Sequence, residues 1–271
     1  MSGSSLLRHP YHIIDPSPWP LIGAIGALSV AFGFISTFQY ASYRLFAFVI
    51  AVLFVLQVMY YWWKDVVRES SYLGAHVNRV QNGLKYGMIF FILSEIMFFF
   101  SLFWSFFDNS LAPVMEVGDC WPPIEIQPVN PMTVPLINTL LLVTSGFSLT
   151  WSHHAIVFGR KWEAVIGLII TLILGSTFTL LQVLEYKEGM FDISDNIYGT
   201  VFYVTTGFHG FHVLIGTAFL ICCGWRLYNN QFTTEHHFGF EAAAWYWHFV
   251  DIVWLFVFVI IYIWGGTSVN M

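Results

Sequence analysis

Glu95 is the residue whose position most demands a chemical explanation. It is the single charge in YGMIFFILSEIMFFFSLFWSFF, the 22 residues 86–107. Its neighbours at the i±3 and i±4 positions are Phe91, Ile92, Phe98 and Phe99, so no group on its own helix can share the charge. An ionisable group at bilayer depth costs about 2.5–3.5 kcal/mol on insertion scales and marks a functional site by default. Glu95 therefore pairs with another helix, faces water or is neutral. The plain reading is a protonated carboxyl making one interhelical hydrogen bond.

Ten histidines invite a metal reading. His209 and His212 stand three apart on one helical face, His153 and His154 are adjacent, and His248 lies further on. Inward histidines at such spacing do hold metals in helical bundles. Adjacent histidines point in different directions, however, and spacing dictates no set of three ligands. Neutral imidazoles bonding between helices are preferred, and no metal site is assigned.

Two further groups carry polar chemistry. Glu241, Trp245, His248 and Asp251 recur at helical spacing, and a face bearing acid, imidazole and acid could relay protons or brace the bundle; bracing is preferred. In Trp62-Trp63-Lys64-Asp65-Val66-Val67-Arg68-Glu69-Ser70, with His76 soon after, interfacial tryptophans adjoin two cations. That pattern suits a phospholipid head group, unless Asp65 and Glu69 neutralise both cations first.

These residues need helices to hold them. At 57% hydrophobic and 10% charged, the 271 residues fall well below the roughly 25% charge of a soluble domain, which leaves a membrane-embedded bundle. A net charge of −6 gives no attraction to nucleic acid. Cys120, Cys222 and Cys223 make no CxxC pair.

Seven apolar spans emerge at about 19–37, 45–63, 84–107, 134–157, 164–184, 198–225 and 243–264, each matching a hydrocarbon layer of about 30 Å. The expected fold is all-α, one integral membrane domain over 1–271. The prolines cluster before the first helix and between Ala112 and Leu136, so seven nearly uninterrupted helices are expected. Unbroken helices without a repeat argue against a free-standing proton or ion transporter.

Arg8, Lys64, Arg68, Arg79, Lys85, Arg160, Lys161 and Arg226 fall on one side, against Arg44 and Lys187 on the other. The basic side is cytoplasmic-type, placing the N-terminus inside and the C-terminus outside, the reverse of a seven-helix receptor. The outer connection from Asp108 to Thr133, with Glu116, Asp119 and Glu125, is expected to be a rigid cap. Tyr60-Tyr61-Trp62-Trp63, Trp245-Tyr246-Trp247, and Tyr262 with Trp264 are read as interfacial anchors. Gly23, Ala27 and Ala31, and Gly167, Thr171, Gly175 and Thr179, are read as packing seams.

Taken together the chain resembles subunit III of the haem–copper oxidases, in particular the mitochondrial-type cytochrome c oxidase branch. The stretches that carry the resemblance are HPYHIIDPSPWPL (9–21), WWKDVVRES (62–70), LSEIMFFF (93–100), SLAP (110–113), CWPP (120–123), WSHHA (151–155), GFHGFHVLIG (207–216) and HHFGFEAAAWYWHFVDIVWLF (236–256). They run nearly end to end.

The resemblance implies a seven-helix bundle with helices 1–2 separated from helices 3–7 by a cleft that holds phospholipids. It implies no catalytic or metal centre in this chain, haem and copper lying in partner subunits. Glu95 matches the family's buried glutamate, while Trp62, Trp63, Arg68, Glu69, His76 and Arg226 match its lipid-lining positions. The chain departs from the usual pattern at Ala75, Lys64, Asp108 and Gln231; a lysine lacks arginine's planar fork.

The function implied is that of a non-catalytic core subunit of a respiratory terminal oxidase. It would contact subunit I chiefly, subunit II and small accessory subunits, and would support proton uptake. The resemblance places it in the mitochondrial inner membrane with the N-terminus on the matrix side. A quinol-oxidising relative is the nearest alternative.

Overall fold

The computed structural model describes residues 11–38, 44–115 and 118–266; Arg8 and Glu116, named above for their charges, lie outside them, as does the side chain of Arg44. Among the described residues there is no strand, and seven long helices carry the fold. They are α1 (Trp19–Thr37), α2 (Arg44–Ser71), α3 (Asn78–Leu111), α4 (Val134–Val157), α5 (Lys161–Glu188), α6 (Ile197–Tyr228) and α7 (Phe238–Val257). The last winds on as a π-helical segment, Phe258–Trp264. All seven are long and apolar enough to cross a membrane.

The α1 and α4 bounds coincide with the apolar spans read from the sequence, whereas α2, α3 and α7 extend beyond theirs. Hydropathy falls where charges begin, yet backbone amides there still need partners, and continuing the helix supplies them. Two prolines prove to be inside helices rather than outside: Pro20 and Pro135 occupy the second positions of α1 and α4. There the missing N–H would have had no intrahelical partner, so neither helix breaks.

By packing, the chain divides into two compact units, Met1–Leu84 and Lys85–Met271. In the first, α1 lies along α2 through glycines. A Cβ on Gly26 would stand 2.9 Å from Val55 Cγ2, and one on Gly33 would stand 2.9 Å from the Phe48 Cα. Gly26 and Gly33 are the buried residues of α1, and Ala27 and Ala31 are exposed. The expected four-residue stripe is therefore corrected to a seven-residue one, which returns to the same helix face after two turns.

In the second unit α7 is the central helix: 56% of its apolar window is buried, against 17% for α3. Trp247 is fully buried and donates its Nε1–H to Ser145 Oγ on α4 at 2.8 Å. The slot for its indole is made by two glycines, since a Cβ on Gly175 of α5 would stand 2.6 Å from Cη2 and one on Gly216 of α6 would stand 3.0 Å from Cε3. The α5 seam is thus as expected. Tyr246, Trp247 and Tyr262, expected at the membrane interface, are instead core residues. Aromatic rings near helix ends look alike in a sequence whether they meet head groups or neighbouring helices.

The connection after α3 folds onto this unit. Trp121 is buried, with its ring 5.5 Å from Phe106 and 5.3 Å from Tyr198, and Ile126 is buried as well. Asp108, Asp119 and Glu125 stay exposed, so apolar side chains hold the cap and its acids face outward.

Candidate functional site

Glu95 on α3 meets α6. Its Oε2 lies 2.8 Å from His212 Nε2. The other ring nitrogen of His212, Nδ1, is 2.7 Å from the Phe208 carbonyl, which can only accept. Nδ1 therefore carries a proton, and the Glu95–His212 contact holds one more, on the carboxyl or on Nε2. Either way the pair is neutral overall, which reconciles a carboxyl with this depth. The His212 ring is boxed in by Phe99 at 5.0 Å and by Phe98 and Tyr246, both at 6.3 Å.

His209, one turn earlier, is buried and turns elsewhere: its Nε2–H donates to the Val250 carbonyl of α7 at 3.2 Å. Two histidines three apart thus bind two different helices. They share no site, and interhelical hydrogen bonding is what the geometry provides.

The stripe on α7 divides. Glu241 takes Lys85 at 2.8 Å and lies 3.7 Å from His237 Nε2. His153, His237 and Glu241 come together with ligand atoms all within 4.8 Å, the one such group among the described residues able to hold an ion. His237 Nδ1–H donates to the Thr233 carbonyl at 3.0 Å, which turns Nε2 inward. The Lys85 ammonium already supplies Glu241 with a positive charge. Further along, His248 Nδ1 lies 3.9 Å from Asp251 Oδ2 and its Nε2 3.4 Å from Thr150 Oγ1. Acid and imidazole therefore act in two separate clusters rather than as one relay.

A buried carboxylate besides Asp251 escaped the sequence reading. Glu185, in the last turn of α5, accepts from Tyr262 Oη at 2.5 Å and from Gln182 Nε2 at 3.1 Å. Gln182 Oε1 in turn accepts from Asn138 Nδ2 at 3.2 Å, linking α4, α5 and the π-helical segment. The apolar window ends at residue 184, one short of Glu185. The i, i+3 spacing of Gln182 and Glu185 was the available signal.

In the first unit, Trp62, Trp63, Lys64 and Arg68 are exposed on α2. Asp65 Oδ2 accepts from Trp19 Nε1 at 2.7 Å, and Glu69 Oε2 lies 3.4 Å from His12 Nε2. The His76 ring stands 6.0 Å from that of His12. Asp65 and Glu69 are thus engaged on α1 and the segment before it, and among the described residues no carboxylate forms an ion pair with Lys64 or Arg68. Asp65 and Glu69 were expected to compete for the two cations; His12 and Trp19, which engage them instead, are residues that sequence spacing did not single out.

Arg226, at the end of α6 in the second unit, lies 4.4 Å above the Phe232 ring and donates Nε–H to Gln231 Oε1 at 3.3 Å. Gly239 lets it close, since a Cβ there would stand 2.6 Å from Nη1. The guanidinium is held flat against an aromatic face, an arrangement open to cation–π attraction.

Comparison with known proteins bears on all these positions together. The family model described as cytochrome c oxidase subunit III matches residues 9–266. A protein named cytochrome c oxidase subunit 3 from Prototheca wickerhamii is 55% identical over 261 residues, 96% of this chain and 99% of that one. Its namesake from Triticum aestivum is 53% identical over 262 residues, 96% of this chain and 98% of that one. The Osphranter robustus counterpart is 53% identical over 258 residues, 95% and 98% of the two chains.

Proposed function

The chain belongs to the cytochrome c oxidase subunit III family, and from that premise we propose that it is a non-catalytic core subunit which binds structural phospholipids and keeps proton uptake by the catalytic subunit fast. Membership makes it a partner of other oxidase subunits, in which the haem and copper sit. Subunit I would be its main contact, with subunit II and small accessory subunits beside it. It would lie in the mitochondrial inner membrane, N-terminus toward the matrix, as its basic bias favours.

The observation that carries the reading is the match to the subunit III family across residues 9–266. Lipid binding draws support from the geometry around Lys64 and Arg68. Asp65 bonds Trp19 and Glu69 approaches His12, leaving two exposed cations one helical turn apart beside Trp62 and Trp63. A phosphate would take charge-assisted hydrogen bonds from both cations while acyl chains lie along the tryptophans. Glu69 and His76 are further proposed lipid contacts of the first unit, and Arg226 is proposed as a lipid contact of the second.

The Glu95–His212 pair would hold α3 on α6, and the proton it shares would give Glu95 its proton-related role. Cations on the inner side would shape the field near the catalytic subunit's proton entrance. The test is steady-state oxygen consumption against pH, in complexes with and without this chain. Loss of turnover toward high pH in the depleted complex is expected; superimposable profiles would refute the supporting role.

A further inference from the structure

One patch of the second unit turns polar groups outward at membrane depth. Asp251 lies about 20 Å along α7 from Phe238 at 1.5 Å per residue, near the middle of the 27-residue apolar stretch Phe238–Trp264. It is pressed on α4: a Cβ on Gly146 would stand 2.7 Å from its Oδ2, and its Oδ1 is buried with no hydrogen-bond partner among the described residues. His248 lies in front of it, and 39% of the His248 side chain is exposed.

The hydrogen bonding of His248 is incomplete. Its Nδ1 is 3.9 Å from Asp251 Oδ2, too far for a hydrogen bond. Its Nε2 is 3.4 Å from Thr150 Oγ1, whose own hydroxyl proton already goes to the Gly146 carbonyl at 2.9 Å. Thr150 is exposed too, and Phe147, Ile252 and Leu255 form an exposed apolar surround. The patch is thus a polar centre within an apolar rim.

Hydrocarbon chains offer such a centre nothing. Burying an imidazole or hydroxyl in lipid without partners costs several kcal/mol, about 4–8 on the scale where nothing can hydrogen-bond. Ionisable residues within membrane spans accordingly face protein or water and pair there. Family membership places the chain in a complex with other membrane subunits. We propose that the α4–α7 face centred on His248 is the docking surface for a transmembrane helix of another oxidase subunit, one that brings a hydroxyl or amide side chain to the imidazole. Phe147, Ile252 and Leu255 would pack against that helix's apolar side chains, and Asp251 would back His248 from behind.

This inference rests on family membership and is independent of the lipid and proton-uptake readings. It is tested in the assembled oxidase. A benzophenone amino acid at Ile252, with His248 intact, should on illumination give an adduct with another subunit. His248→Leu should lower the amount of this chain retained per haem after a detergent wash by about threefold to tenfold, the range for one hydrogen bond in lipid. His248→Gln should recover most of it. Adducts with lipid alone or with a second copy of this chain, or undiminished retention of His248→Leu, would overturn the proposal. Where His248→Leu fails to assemble, the Ile252 adduct decides. Haem in the purified complex separates failure of this proposal from failure of the family placement.

Discussion

Glu95 Oε2 and His212 Nε2 lie 2.8 Å apart, so one proton is shared between two helices whose contacting residues are 117 positions apart. The geometry asks for a hydrogen bond rather than for a charge. Glu95→Gln should therefore be mild, because the amide N–H can donate to Nε2 in place of the carboxyl. Glu95→Ala strands a buried acceptor and should cost about 1–3 kcal/mol. Thermal unfolding of both variants measures the difference, and adding His212→Phe to Glu95→Ala should recover part of the loss in a double-mutant cycle. An alanine variant as stable as the glutamine one would count against the pairing.

Tyr262 and Glu185 form the second linkage to examine. The Tyr262 hydroxyl donates to Oε1 and receives from Gln182 Nε2 at 3.2 Å, so Tyr262→Phe removes two contacts from a buried network. A loss of about 1–3 kcal/mol is expected, read as a lower unfolding midpoint. Gln182→Ala in the same background should then cost less than it does alone, since it breaks an already weakened network.

Two glycines separate packing from helix propensity. Gly175→Ala drives a methyl to 2.6 Å from Trp247 and should destabilise by about 1–3 kcal/mol, the range for overpacking a core. Gly207→Ala, within α6, meets nothing within 4 Å and should stabilise by up to about 1 kcal/mol through reduced chain entropy. Opposite shifts in unfolding temperature are the expected result.

The lipid reading makes its own prediction. Replacing Lys64 and Arg68 together by alanine should reduce the phosphorus that co-purifies with the complex. Trp19→Phe should act in the same direction with both cations intact. It deprives Asp65 of its indole donor and lets the carboxylate turn to Arg68, three residues on. Unchanged phosphorus in both variants would remove these cations from the lipid site.

Much of this protein is local information. Runs of about 20 apolar residues report crossings directly, so the number of helices and the limits of α1 and α4 were legible from the chain. So was the exceptional status of Glu95, because a lone carboxylate in a phenylalanine-rich span is visible without coordinates. Where reading by periodicity failed, it failed over direction. Ala27 and Ala31 look like a seam by spacing, Trp247 and Tyr262 like anchors by type, and Glu185 sits one residue beyond an apolar window. In each case another helix decides the role, whether the next one in the chain, as α2 does for α1, or a distant one, as α4 does for Trp247.

Composition and order thus determined that this chain is a seven-helix membrane protein of one family, with its charges held at helix ends and its few intramembrane polar groups in need of partners. Tertiary structure alone decided who those partners are: His212 for Glu95, Val250 for His209, Lys85 for Glu241, Tyr262 for Glu185, and Trp19 for the Asp65 that leaves Arg68 exposed. The physical reason is one of range. A helix forms from hydrogen bonds within a few residues and a span from hydropathy over about 20, whereas a polar partner in lipid is chosen by the packing of faces that meet only once the bundle has closed.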